Sequence, residues 1–150
     1  MLTSFPMKPA FLANPDYKIN DTRILDVIKE CKKIQVCIEP TCFPEVTKNT
    51  MAIACIGIEI QNTEYTKCGM QLNNMTDFSN YDCLEGADFD SEEFTDVMFT
   101  SKKECTKTIM RDVCGKNSLV DFDRAAELNM KLTRLSAAIY KELIPEGDTE

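Results

Sequence analysis

Between residues 22 and 38, Ile24, Val27, Ile28, Cys31, Ile34 and Ile38 recur at three- and four-residue spacing. That period lays one apolar stripe along a helix. Asp21 offers a side-chain oxygen to the free N–H groups at its start, and Pro40 stops it. A second helix begins near Pro44. Its stretch from Met51 to Ile58 has no polar side chain, which places it in the middle of a core. The β-branched residues there would also suit a strand. Thr47 to Ile60 is long for one, so helix is preferred. A shorter helix follows over about 65–73. Ser101 and Glu104 then have the spacing of a capping box, and Gly115 supplies the stop for a helix between them. The last helix, about 119–143, repeats the capping logic with Ser118 and Asp121. Leu119, Phe122, Ala126, Leu128, Leu132, Leu135, Ile139 and Leu143 form its stripe, and Pro145 and Gly147 end it.

These elements predict an all-α fold, a compact disulfide-stapled bundle of about five helices. Residues 1–20, rich in Pro and Asn and without period, read as an extended arm. Residues 21–144 read as one domain and 145–150 as a frayed acidic tail. A chain of 150 residues fits one domain, and no internal repeat divides it.

Eight cysteines change the picture most: Cys31, Cys37, Cys42, Cys55, Cys68, Cys83, Cys105 and Cys114. Their number is even and no Cys-x-x-Cys occurs. Four disulfides are therefore expected in preference to a zinc site or a thioredoxin-like motif, with the pairing left open. Cys105 and Cys114 lie on roughly opposite sides of one helix, about 13 Å apart along its axis, so they cannot bond to each other. Such a framework implies an oxidising, extracellular compartment. The first twenty residues hold no apolar core of a signal peptide, so secretion requires that a leader has been removed. No run is apolar and long enough for a membrane span. Two sequons, Asn20-Asp21-Thr22 and Asn74-Met75-Thr76, mark Asn20 and Asn74 as candidate glycosylation sites.

Composition narrows the chemistry. The chain has no His, which removes the Ser-His-Asp triad, the Cys-His pair and His-ligated metals. No glycine-rich phosphate loop or nucleophile motif is present. The reading is therefore no catalytic residue, no metal and no cofactor, and no enzyme. A net charge of -8 disfavours nucleic acid and anionic lipid as partners. From Asp82 to Asp96 the chain carries Asp82, Glu85, Asp88, Asp90, Glu92, Glu93 and Asp96 with no basic residue. Glu93 occupies the position where a calcium loop needs Gly, so this reads as a solvated acidic loop.

Phe99 through Glu104, then Cys105 and Cys114-Gly115, then a segment opening Val120-Asp121-Phe122, resemble the nematode secreted family catalogued as domain of unknown function nineteen. The resemblance covers about 31–125. It implies secretion, disulfides and a helical pattern, and brings no activity or functional residue. The expected function is a secreted interaction module that binds an extracellular protein. The alternative is an extracellular carrier of a small apolar ligand, with Met and Phe lining an adaptable cavity.

Overall fold

The computed structural model describes residues 18–72, 78–84 and 94–144. The sequon at Asn74, Glu85 to Glu93 of the acidic stretch, residues 1–17 of the arm and the tail 145–150 lie outside the described residues. Among the described residues there are six α-helices: α1 (Thr22–Ile38), α2 (Glu45–Gln61), α3 (Glu64–Leu72), α4 (Phe94–Phe99), α5 (Lys103–Cys114) and α6 (Phe122–Leu143). Short 3-10 turns cover Asp82–Leu84 and Lys116–Leu119. The fold is a compact helical bundle. The short α4 is the helix that periodicity did not resolve.

Local chemistry explains most of the helix ends. Asp21 caps α1, its Oδ1 accepting from the Arg23 N–H at 3.0 Å. The Arg23 guanidinium also grips this carboxylate at 3.0 and 3.1 Å and holds its pKa below the usual range. Gly115 closes α5 with φ of +82°, a backbone conformation that strains any L side chain. Two expected caps are corrected. Ser101 does not cap α5, whose N-cap position is Lys102 and has no side-chain cap. The lead-in to α5 is instead tied to α4: the Lys102 N–H reaches Val97 O at 2.9 Å, and further along the Thr106 hydroxyl reaches Met98 O at 2.9 Å. Ser118 does not open α6, because the turn after Gly115 runs as 3-10 helix to Leu119. Its buried hydroxyl donates to the carbonyls of Met110 at 3.1 Å and Gly115 at 2.7 Å.

Asp121 holds the N-cap position of α6 yet caps a different helix. Its carboxylate accepts from the N–H groups of Glu64 at 2.8 Å and Tyr65 at 3.1 Å. Those are free donors at the start of α3, so one side chain satisfies two of them across more than fifty residues of sequence. The same contact seats Phe122 against Tyr65 and Phe99. The three rings lie 5.2 to 5.7 Å apart between centroids, and the Lys107 ammonium sits 5.2 Å from the Phe122 ring centroid.

Three disulfides tie the bundle: Cys31–Cys55 joins α1 to α2, Cys68–Cys114 joins α3 to α5, and Cys83–Cys105 joins the 3-10 turn to α5. Three of the four expected bridges are therefore placed, and the remaining two cysteines, Cys37 and Cys42, are both exposed. Cys37 follows Cys31 by six residues, about 240° further round α1, so it faces away from α2, where the Cys31 bridge goes. One cluster of the core packs Phe99, Met110, Phe122 and Ala126 around Cys68, and a second packs Leu84 and Ile109 around Cys105. α5 contributes to both. The expectation that α2 is enclosed on all sides is corrected. Cys55 and Ile56 are buried, but Ala54 is exposed, because α2 is packed between α1 and α6 and retains an open edge.

Two outcomes follow from this packing. Replacing Asp121 with Ala should lower unfolding free energy by about 1–2 kcal/mol in urea titration, and Asp121→Asn, which keeps an acceptor, by less. Surrounding rings desolvate the Tyr65 phenol and push its pKa up to about 12. The folded state thus favours the neutral phenol. That stabilisation is complete below the ordinary value of 10.0 and is lost as pH rises toward about 12. The Tyr65→Phe variant should lose less stability than wild type between those pH values.

Candidate functional site

Among the described residues, α1 lies at an edge and its main packing partner is α2. Ile24, Ile28, Cys31, Gln35 and Ile38 turn toward the bundle, with Ile28 only 6% exposed. The sequence reading put Val27 and Ile34 on this buried stripe as well. Both are exposed, because a helix packed against one neighbour buries a narrow face and its flanking positions stay in water. On the other flank, Leu25, Lys29, Lys32 and Val36 follow at helical spacing, with Leu25 43% and Val36 75% exposed. These four, with Ile28, Lys33 and Cys37, line a shallow groove of about 800 Å3 along α1.

The groove is apolar along its floor and cationic at its margin. Lys32 leans toward Glu59 of α2 at 3.8 Å, and Glu59 also meets Arg124 of α6 at 3.3 Å, so this carboxylate links three helices. Lys33 pairs with Glu30 at 2.6 Å and holds that carboxyl below its usual pKa. Lys29, Lys32 and Lys33 all contribute to the groove lining, as long amphipathic side chains can, with an apolar stem and a charged tip.

A second cleft, of about 250 Å3, lies where the end of α1 meets α2 and α6. Its lining mixes Ile38, Met51, Ala52 and Leu135 with Glu39, Glu45, Lys48 and Lys131. Among the described residues, no group of three His, Cys, Asp or Glu side chains is placed to hold a metal. No described helix is long and apolar enough to cross a membrane.

Asn20 is the sequon asparagine that the structure describes. It is exposed, at φ of 62°, and is tied to the buried Asn62. Its N–H donates to Asn62 Oδ1 at 2.7 Å, and its Oδ1 accepts from Asn62 Nδ2 at 3.2 Å. It therefore fixes the entry to α1 against the α2–α3 junction. The family model described as Domain of unknown function (DUF19) matches residues 9–134. The chain belongs to this family. No curated protein and no solved structure matches the chain. The DUF19 match takes in all of α1 and all eight cysteines and ends within α6. It is wider than the span from which the resemblance was drawn.

Of the groove residues, the sequence singled out Cys37 alone as a site, and as a disulfide cysteine, not as part of a binding face. The signal that could have found them is the width of the apolar arc on α1. Leu25 and Val36 lie outside the stripe that one packing partner can cover. Core and surface positions of α1 should separate in thermal denaturation. Ile28→Ala should cost about 2 kcal/mol or more, whereas Val36→Asp should change stability by less than about 0.5 kcal/mol.

Proposed function

We propose that the protein is a secreted interaction module and that it docks an extracellular protein on the outer face of α1. The observation that carries this reading is the pairing of uncovered apolar side chains, Leu25 and Val36, with Lys29, Lys32 and Lys33 on one helix. The whole chain has a net charge of -8, and these three lysines, two of them sharing their charge with Glu59 and Glu30, run against that overall sign. Charge complementarity selects a partner that presents an acidic segment with apolar anchors. The three disulfides support the extracellular compartment. A sugar at Asn20 fits the same compartment, since that residue is exposed. The carrier reading would need an enclosed apolar cavity. The shallow, open form of the α1 groove favours protein docking instead.

Affinity capture from the protein's native extracellular fluid tests this. The wild-type domain should retain a protein that Leu25→Asp/Val36→Asp loses, although the variant melts at the wild-type temperature. Raising ionic strength should weaken capture, because exposed charges beyond a Debye length are screened. Equal capture by both forms would contradict docking on α1. A native mass spectrum of the source protein carrying a bound small molecule would contradict the module reading in favour of the carrier.

A further inference from the structure

The connection from α1 to α2 places two exposed thiols at the ends of one tight turn. The Thr41 N–H donates to the Ile38 carbonyl at 2.9 Å, and the Thr41 hydroxyl reaches the same oxygen. Lys48 Nζ reaches the Glu39 carbonyl at 3.1 Å and the Phe43 N–H reaches Thr41 Oγ1 at 3.4 Å, so the turn is held from α2 and from its own exit. Cys37 lies one residue before Ile38 and Cys42 one residue after Thr41. The other six cysteines are already paired with one another at Cα separations of 5.6 to 5.7 Å. Within the chain, Cys37 and Cys42 have only each other.

We propose that Cys37 and Cys42 form a fourth disulfide, clipping the turn between α1 and α2, and that this is the bridge a mild reductant opens first. Ile38 and Thr41 close the turn, and Cys37 and Cys42 flank it one residue outside on either side, so the chain reverses direction between them and a local adjustment can bring them to the roughly 4.4–6.8 Å between Cα atoms that a disulfide takes. Closure therefore adjusts the turn and leaves both helices in place. A link of four intervening residues keeps the partner thiol at an effective concentration of order millimolar, above that of a second chain. The oxidant is a small-molecule disulfide such as oxidised glutathione. One cysteine thiolate attacks its S–S bond and releases one reduced glutathione. The second thiolate then attacks the protein sulfur of the mixed disulfide and releases another. The protein loses two hydrogens and the oxidant gains them.

Exposure sets the order of reduction. Each of the other bridges has at least one buried cysteine, Cys55, Cys68 or Cys105, at 2 to 8% exposure, so even attack at the exposed Cys83 must expel a thiolate into the buried site of Cys105. Cys37 and Cys42 are both exposed, so a reductant reaches them directly. Cys37 also lines the α1 groove, so the clip anchors the end of that face. The assignment is independent of whether α1 docks a partner.

Trypsin tests it cleanly, because Lys33 and Lys48 bound a segment, Ile34 to Lys48, that holds both cysteines and no other Lys or Arg. Protein folded with glutathione, alkylated without reduction and digested should give this peptide unalkylated and about 2 Da below its reduced mass. Under graded phosphine, label should enter this peptide before any peptide bearing Cys31, Cys55, Cys68, Cys83, Cys105 or Cys114. A doubly alkylated peptide before reduction, or one linked to a second copy or another cysteine, would overturn the pairing. Earlier labelling of the buried cysteines would overturn the order.

Discussion

Two disulfides leave α5 from near its opposite ends, and the rest of the bundle depends on that arrangement. Cys105 and Cys114 are nine residues apart on a helix of 3.6 residues per turn. They point to different sides and reach different partners, Cys83 and Cys68. Each bridge carries its own apolar cluster, so α5 is where the two halves of the core meet. Once α3 is fixed to α5 through Cys68, the start of α3 lies within reach of Asp121, and the Asp121 carboxylate ties α6 to the same point. Phe122, Tyr65 and Phe99 pack in the angle so formed. Covalent linkage, long-range capping and ring packing thus converge on one end of the molecule.

The opposite edge is built differently. α1 is held by Cys31–Cys55, by Ile28 and by Lys32 reaching across to Glu59. That suffices to place the helix, and no described helix covers its outer face. A helix packed on one side by a rigid neighbour presents side chains in fixed register at little cost in ordering entropy, which is what a docking surface needs. Membership of DUF19 assigns no activity to the chain.

Helix class and most boundaries were legible because they are set by nearby residues. The stripe on α1, the Asp21 cap, Pro40 and Gly115 all act within a turn or two of the element they shape. What was not legible depends on the third dimension. Ser101 and Glu104 have the spacing of a capping box, but α5 begins two residues after Ser101, and the N–H groups leading into it, Lys102 and Lys103, reach back to the carbonyls of Val97 and Thr100. Asp121 looks like a cap for its own helix, yet its carboxylate serves one that begins fifty-seven residues earlier. Val27 and Ile34 fit a stripe that would be buried only if α1 had a second neighbour. The α1 groove was missed for the same reason: sequence period shows which residues share a face, not whether another helix covers it.

Amide hydrogen exchange by mass spectrometry, on the oxidised protein and after full reduction, tests the dependence on α5 most directly. In the oxidised protein α5 should exchange slowest, with α3 next and α1 faster than either. Reduction should strip protection from α5 and α3 together. Slow exchange of α5 that persists after verified reduction would contradict the account, since packing alone would then hold the helix that the bridges are said to fix.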